Sequence, residues 1–450
     1  MHGCVTRRFG RVLAGLLLGA AAAGASAQRA DLMQIYGLAL ANDPSFQAAG
    51  AINRAAQEAP VLARSDLLPS LSASVNTFGN EADVRRGNIL AGGTGRRNFN
   101  THEARISVSQ PLYRKDRWIA LDQARVEVDQ ADATYAFEHQ ALMLRAAQRY
   151  FEVLSATDTL EFALAERDAF GQQLEQSQQR FEVGLIAVTD VEEAKAGFDL
   201  ARAQVIQAET ALDNAREALR EVTGEYHLAI AELRAETPLE MPQPNEIDRW
   251  TETALLQNLQ LAGQRYASER AKLEIQRVES GHLPTLDLVG SHRRAVANGG
   301  TSVNAASDNS TTAIGIELNI PLYAGGSVLS RTRQSRHLYQ REVDEVERVR
   351  RSVQRQTRDA FLGVRSGISR VGALEQAVKS VEAAADAVEA GFQVGTRTTV
   401  DVLNAKRDLF RAKRDLADAR YSYIVDTLTL KQAAGILEEE DLGLVNSWLR

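Results

Sequence analysis

The stretch Gly391-Phe-Gln-Val-Gly-Thr-Arg-Thr-Thr-Val-Asp-Val-Leu403 decides the fold, because most of its pattern occurs twice in the chain. The first copy contains Phe181-Glu-Val-Gly184 and Asp190-Val191, which lie 211 residues before their counterparts. Each copy separates two long segments with helical periodicity, and the second segment opens with a capping pattern, Thr189-x-x-Glu192 or Thr398-x-x-Asp401. The sequence therefore predicts two helical hairpins whose tips point the same way.

The duplication extends well beyond the two turns. After the first turn, small and large apolar residues alternate at spacings of three and four, in the series Val191, Ala194, Phe198, Ala201, Val205, Ala208, Leu212, Ala215, Leu219 and Val222. Upstream, Leu68-Pro-Ser-Leu71 matches Leu283-Pro-Thr-Leu286, and Pro111-Leu-Tyr113 matches Pro321-Leu-Tyr323. These matches predict an internal two-fold repeat whose helices pack closely along a heptad seam.

Four segments of the chain resemble the TolC family of outer-membrane export ducts: Asp31 to Tyr36, Arg180 to Val191, Gly281 to Leu288, and Val394 to Leu403. They lie at both ends and in the middle, so the resemblance spans essentially the whole chain. It implies a mainly α-helical chain with membrane β-strands, assembled as a homotrimer. Each chain would give four strands to a shared twelve-stranded outer-membrane barrel, continued by a long coiled-coil helical barrel in the periplasm.

Residues 1 to 27 have the pattern of an export signal. Its basic beginning, short apolar run and small-residue cleavage site are Arg7, Arg8 and Arg11, then Val12 to Gly24, then Ala25-Ser-Ala27. The only cysteine, Cys4, precedes the apolar run, so we expect no disulfide and no thiolate metal site in the mature chain.

The charge balance of the mature chain is acidic. Removing the three signal arginines from 52 basic side chains leaves 49 against 59 acidic ones, a formal charge of −10. This balance argues against a nucleic-acid partner, which needs a basic surface. After the signal, no stretch approaches the roughly 20 apolar residues of a membrane helix, so a membrane-spanning part would have to consist of strands.

Four segments alternate apolar and polar residues as strands do: Ser70 to Thr77, Glu103 to Ser109, Thr285 to Leu288, and Ile314 to Ile320. Taken alone, this pattern also fits two surface hairpins of a soluble sheet. Long polar connections, Gly79 to Asn98 and Ala297 to Ser310, favour membrane strands with external loops. So do the prolines predicted at the helix-side strand ends, Pro69, Pro111, Pro284 and Pro321.

Four strands cannot close a barrel, and lipid does not tolerate an open sheet edge. Two chains would supply eight strands, whose interior is filled by side chains, whereas three would supply twelve and leave a path for water. A conduit therefore favours three chains and contact with outer-membrane lipid.

The segments from about 115 to 179 and from about 327 to 390 contain no proline, and each predicts a helix of about 100 Å. We divide the mature chain into a first repeat at 28–224, with strands at about 67–113, and a second at 248–436, with strands at about 283–323. The proline-rich linker at 225–247 and the tail at 437–450 would form an equatorial collar around the helices.

No motif predicts catalysis, a metal or a cofactor. The six histidines after the signal have no ligand spacing, and Gly92-Gly-Thr-Gly95 lacks the lysine of a phosphate loop. No nucleophile motif is present. We therefore expect a protein that is not an enzyme.

The resemblance implies roles for residues at the tips. Asp401 matches an acid that rings and narrows the pore, while Asn404 stands where the family often has a second acid; alternatively, Asp401 is simply an acid at a helix N-terminus. Thr189, Asp190 and Arg397 match residues that hold the entrance shut.

The resemblance also bears on Phe392 and on the two turn glycines of the tips. Phe392 replaces a tyrosine that would bond Asp190, so we expect either an entrance that opens more easily or another partner for Asp190. Gly184 and Gly395 match positions where periplasmic adaptor proteins dock, although turn geometry alone also explains both glycines.

The function that this resemblance implies is a passive exit duct in the outer membrane of a Gram-negative bacterium, extending into the periplasm. An inner-membrane pump of RND, ABC or MFS type would recruit it through a periplasmic adaptor for drug efflux, type I protein secretion or both. The alternative is a non-conducting structural or adhesive trimeric coiled-coil surface protein. The residues leave the cargo and the particular pump open.

Overall fold

The chain forms two similar series of helices and strands in a computed structural model. The structure describes residues 29–84, 95–234, 236–300 and 306–450. The predicted signal at 1–27 and parts of both strand connections lie outside these ranges. The first series is α1 (Leu32–Asn42), α2 (Pro44–Gln57), α3 (Ala59–Ser65), β1 (Ser70–Val84), β2 (Gly95–Tyr113), α4 (Lys115–Glu182) and α5 (Val188–Thr223). The second is α6 (Ile247–Gln257), α7 (Leu259–Glu279), β3 (Thr285–Ala297), β4 (Ser307–Asn319), α8 (Ser327–Gln393) and α9 (Thr399–Ala434), followed by α10 (Glu439–Asn446).

The two longest helices confirm the prediction of rods. Helices α4 and α8 contain 68 and 67 residues, which corresponds to about 100 Å each. Each packs against the helix that follows it, and α4 also packs against α9, so the two hairpins form one bundle. The predicted seam is buried at Ala194, Ala201, Val205 and Ala208. Within the described ranges, none of the helices combines the length and the apolar character needed to cross a bilayer.

The four strands form one antiparallel sheet in the order β1-β2-β3-β4. Strands β1 and β4 are therefore its two edges. The predicted strands are too short, since β1 continues to Val84, β2 begins at Gly95 and β3 continues to Ala297. Beyond Thr77 and Leu288 the regular alternation of apolar and polar residues is lost, while backbone pairing continues without it, and so the sequence pattern missed these extensions.

The prediction that all four prolines flank their strands is wrong for Pro111. It lies inside β2, opposite Asp287, and the register of the β2–β3 pair shifts between Pro111 and Tyr113. A bulge accommodates a residue that has no N–H for the ladder. The other three prolines lie just outside their strands, as predicted.

Both repeats end in the same arrangement. Helices α5 and α9 stop at Gly224 and Gly435, whose φ angles are +75° and +78°. The Asn42 side chain, at the α1–α2 junction, donates to a carbonyl in the last turn of α5 at 2.8 Å. Likewise the Asn258 side chain, at the α6–α7 junction, donates to a carbonyl in the last turn of α9 at 3.0 Å. The duplication read from the sequence is thus present in the tertiary contacts.

The linker at 225–247 and the C-terminal tail pack together. The Arg450 N–H donates to the Glu232 carbonyl at 2.9 Å, and the hydroxyl of buried Tyr150 on α4 donates to the Ala231 carbonyl at 2.6 Å. These residues adjoin the main hydrophobic core, which extends over α1, α4, α9 and α10. The equatorial collar and the repeat boundaries given above stay predictions.

Candidate channel entrance and membrane sheet

The first helical tip is a tight turn closed by backbone hydrogen bonds. The Gly184 N–H donates to the Phe181 carbonyl at 2.9 Å, and the Leu185 N–H donates to the Arg180 carbonyl at 2.9 Å. Gly184 has a φ of +75°, which favours glycine over residues with a side chain. This is the Schellman arrangement that ends many helices.

The second tip repeats this geometry. Gly395 has a φ of +80°, and its N–H donates to the Phe392 carbonyl at 3.1 Å. The Thr396 N–H donates to the Gly391 carbonyl at 2.9 Å. A Cβ added at either tip glycine would meet no atom within 4 Å, so the backbone conformation and not packing within one chain calls for glycine.

Asp401 caps helix α9, and this capping box confirms the predicted pattern. Its carboxylate accepts hydrogen bonds from the Thr398 N–H at 2.9 Å and the Thr398 hydroxyl at 3.0 Å. The backbone hydrogen bond, followed by the hydroxyl and the charge of Arg397, holds the pKa of Asp401 below its usual range. Asp401 is therefore a fixed negative charge at neutral pH, at the positive end of the helix dipole. Asn404, one turn later, is exposed and accepts from Arg407 at 3.3 Å.

The first tip differs from its predicted cap. Helix α5 begins at Val188, one residue before Thr189, so the predicted Thr189-x-x-Glu192 box does not form. Instead, Asp190 accepts a hydrogen bond from the Ala187 N–H at 3.2 Å. The equivalent acid thus caps this helix, and a Thr counterpart of Thr398 is missing because position 187 is alanine. Asp190 also gains a partner within its own chain.

Phe392 packs against a residue that sequence reasoning missed. The ring of Phe392 is only 3% exposed, and the guanidinium carbon of Arg180 lies 4.4 Å from the ring centre. This distance is typical of a cation–π contact. Arg180 belongs to the first hairpin and Phe392 to the second, so the contact links the two tips of one chain. No local pattern marks a pair so far apart in sequence.

The remaining predicted gating residues are not joined within one chain. Thr189 and Arg397 are exposed. A Cβ on Gly391 would lie 2.8 Å from Cγ of Arg397, so the stem of Arg397 packs over this glycine. In the part of the chain that the structure describes, Arg397 acts on Asp401 through its charge but forms no ion pair with Asp190. The predicted roles of Asp401, Asn404, Thr189, Asp190, Phe392, Arg397, Gly184 and Gly395 stay predictions.

The sheet has one apolar and one mostly polar face. The register places on one face Leu71, Ala73, Val75, Ala104, Ile106, Val108, Leu288, Ile314, Ile316 and Leu318. Of these, Leu71 is 76% exposed and Ile314 is 82% exposed. On the opposite face, Glu103 accepts from Arg105 at 3.2 Å and from Arg293 at 2.7 Å. A sheet with apolar groups outside and a charged inner face is typical of a water-filled membrane barrel.

A sheet of this kind on a bundle of 100 Å helices defines an outer-membrane channel subunit. The family model described as outer membrane efflux protein matches residues 35–225 and 250–436. The chain belongs to this family, which places it in the outer membrane of a Gram-negative bacterium.

Two curated relatives agree with this family, and one solved structure has the same fold. Outer membrane protein TolC of Vibrio cholerae is 40% identical over 93% of this chain and 94% of its own length. The alkaline protease secretion protein AprF of Pseudomonas aeruginosa is 30% identical over 92% of this chain and 86% of its own. The CmeC outer membrane channel of Campylobacter jejuni matches 93% of this chain and 90% of its own with a TM-score of 0.77. At 15% identity, this last likeness shows the fold alone.

Proposed function

We propose that three copies of this chain form one continuous passive duct through the outer membrane and the periplasm. The role of outer-membrane exit duct follows from the family and from the curated relatives. How the duct is assembled and closed is inferred from the sheet and from the helical tips. A non-conducting adhesive protein, the alternative considered from the sequence, does not agree with these relatives.

The two open edges of the sheet are the observation that supports assembly into a trimer. Strands β1 and β4 each pair on one side only. Their side chains alternate between the same apolar face and polar face as those of β2 and β3. An unpaired edge in lipid leaves backbone N–H and C=O groups without partners. Pairing β4 of one copy with β1 of the next removes every edge once the ring closes.

The side-chain pattern of the sheet supports strands tilted as in a barrel. On the apolar face, the first polar row after the apolar band is formed by Thr77, His102, His292 and Thr312. His102 of β2 lies opposite Val296 of β3, whereas the residue of this row on β3 is His292. The row is therefore displaced by four residues along the strand direction between β2 and β3. Four residues are about 13 Å, and three strand spacings are about 14 Å, which gives a tilt of about 40° if the row lies in the membrane plane. Membrane barrels have strand tilts of about 35–45°.

We place the narrowest point of the duct at Asp401. Three copies of this ionised carboxylate at the tips would form an acidic ring that admits cations and is blocked by multivalent ones. Asn404 supplies no second acid, so the ring would have three charges and not six. We expect multivalent cations to bind this ring less tightly than a ring of six.

Exchanging Asp401→Asn is expected to raise the concentration of a trivalent cation that halves the single-channel current by at least about tenfold, because all three charges of the ring disappear. Asn404→Asp is expected to lower that concentration. Current through single channels in planar lipid bilayers measures both effects. The control is Asp199→Asn, an exposed acid on α5 with the same charge change. Equal effects of Asp401→Asn and Asp199→Asn would remove Asp401 from the pore.

The surface of the two helical tips suggests where a partner protein binds. Exposed apolar side chains surround both turn glycines, with Val183 69%, Leu185 72% and Val394 75% exposed. We propose that a periplasmic adaptor docks there, near Gly184 and Gly395, and connects the duct to an inner-membrane pump. No chemistry on the cargo is proposed, and the energy for transport would come from that pump.

The proposed cargo of the duct is small drugs, secreted proteins or both. AprF is a protease secretion protein by name, whereas the matched family is described by efflux. Deleting the gene should lower resistance to several unrelated antibiotics if the duct serves drug efflux. It should remove one or more proteins from the culture supernatant if it serves type I secretion. A deletion strain unchanged in both assays would contradict the proposed export role.

A further inference from the structure

A cavity outside the tips and the sheet lies between helices α4, α5 and α9. Its volume is about 310 Å³. Helix α9 contributes Arg407, Arg411 and Arg414, and α4 contributes Glu166. Its floor is apolar, and the ring of Phe170, which is 1% exposed, forms part of it. All of its lining residues belong to one chain.

The three arginines of this cavity are poorly paired. Arg411 is 3.9 Å from Asp408, and Arg407 donates to the neutral side chain of Asn404 at 3.3 Å. Arg414 forms no hydrogen bond or ion pair with any residue that the structure describes. By contrast, Lys413 on another side of the same helix forms an ion pair with Glu382 at 3.2 Å. Guanidinium groups without a close hydrogen-bonded carboxylate can donate to an added anion.

Glu166 sets the charge of the cavity. Burial raises its pKa, and the charges of Arg407, Arg414 and Arg411 oppose this rise, so all three arginines lie close enough to act on one carboxyl group. With Glu166 ionised, three guanidinium groups and one carboxylate give the lining a formal charge of +2. A ligand with two negative charges would neutralise it.

The remaining lining has an apolar part that a flat ring can cover. Leu200 is 66% exposed beside the buried Phe170 and Ala201, whereas Gln204 and Gln207 are polar lining residues. Arg407 lies 5.8 Å from the centre of the Phe170 ring. Arg407, Arg411 and Arg414 lie on one side of α9 over about 10 Å of helix. Anionic groups at two points of a ring system can therefore meet different arginines, while the ring covers the apolar floor.

We propose that this cavity binds an aromatic dianion, such as a compound with two sulfonate or carboxylate groups on a fused ring. The arginines would hold the charged groups, and the ring would lie against Leu200 at the edge of the apolar floor. The cavity would thus be a binding site for one class of anionic solute within the helical part of the duct. Asp401, the proposed acidic ring, is a separate site on the same helix.

Naphthalene-1,5-disulfonate is a suitable probe, because it is soluble in water and does not depend on detergent to dissolve. Isothermal titration of the purified full chain in lipid nanodiscs at low ionic strength should give saturable binding of one probe per chain. Inorganic sulfate should bind at least about tenfold more weakly, and neutral 1,5-dihydroxynaphthalene should not bind. Sulfate binding as tight as the disulfonate would overturn the aromatic part of the proposal, and no saturable disulfonate binding would overturn the site.

Substitutions with opposite expected signs test the location. Arg411→Gln and Arg414→Gln should each weaken disulfonate binding by about tenfold or more, because each removes a charged donor. Glu166→Gln should strengthen it severalfold, because it removes a negative charge from the cavity. The matched controls Lys413→Gln and Glu382→Gln change the same charges on helices α9 and α8 but outside the cavity. Controls that change affinity as much as the cavity variants would contradict the assignment.

These outcomes separate the cavity from the duct. Binding is measured without current or transport, so a silent bilayer together with saturable binding would contradict the proposed duct and leave the cavity standing. Conducting channels that fail to bind the probe would contradict only the cavity. If an arginine variant fails to fold, Glu166→Gln still gives a decisive result, because weaker or unchanged binding there would overturn the proposal.

Discussion

Replacing Gly435 with alanine is expected to lower the free energy of unfolding by at least about 4 kcal/mol. Gly435 has a φ of +78°, where a side chain costs about 1–2 kcal/mol. An added Cβ would also lie 2.4 Å from the carbonyl oxygen of Gln257 and 2.8 Å from the Asn258 Cα. Both are backbone atoms, so the contact cannot be relieved by rotating a side chain, and α9 must move away from the α6–α7 junction.

Gly395→Ala is the matched control for this prediction. Its φ of +80° is nearly the same, but a Cβ there meets no atom within 4 Å. Alanine at 395 should therefore cost only the backbone strain of about 1–2 kcal/mol. Loss of helical circular dichroism with urea or temperature compares the two purified variants. Equal losses of stability would contradict close packing of the second repeat at Gly435.

Replacing Arg180 with alanine is expected to raise the open probability of the channel by at least about tenfold. Its guanidinium lies 4.4 Å from the centre of the buried Phe392 ring and links the two tips of one chain. A partly desolvated cation–π contact contributes about 0.5–2 kcal/mol. If all three copies must open together, the closed state loses about 1.5–6 kcal/mol, and a shift of about 1.4 kcal/mol is already tenfold in population. Single-channel recordings in planar bilayers measure the open probability directly.

The control for Arg180→Ala is another arginine near an aromatic ring. Arg202 lies 5.9 Å from the Phe198 ring within α5, and it does not connect the hairpins. Arg202→Ala should leave the open probability unchanged. If Arg180→Ala also leaves it unchanged, the Arg180–Phe392 contact does not hold the entrance closed, and Phe392 has a packing role only.

Much of the helical architecture follows from the sequence because its signals are local and repeated. The capping box of Thr398 and Asp401 and the proline-free run of α4 each lie within one element, so periodicity and caps predict them. Thr189 shows where such signals fail. The helix begins one residue earlier, and Asp190 bonds the Ala187 N–H without any Ser or Thr at the cap.

Features that depend on contacts between distant segments were not predictable. The Arg180–Phe392 contact joins two hairpins, and the cavity lined by Arg407, Arg411 and Arg414 lies between α4, α5 and α9. The segments that meet at these places share no periodic sequence pattern. The alternation of apolar and polar residues underestimates the strand lengths, because pairing past Thr77 is formed by backbone hydrogen bonds. It also does not reveal that Pro111 lies inside β2, because a bulge leaves no clear mark in the alternation.

Strands β1 and β4 leave two edges of the sheet open in a single chain, so we propose that three chains close one barrel. Native mass spectrometry of the purified protein, released from detergent, tests this most directly. We expect one dominant species with three times the mass of the mature chain, even at low protein concentration. A dominant monomer or dimer under conditions that preserve other membrane oligomers would contradict it.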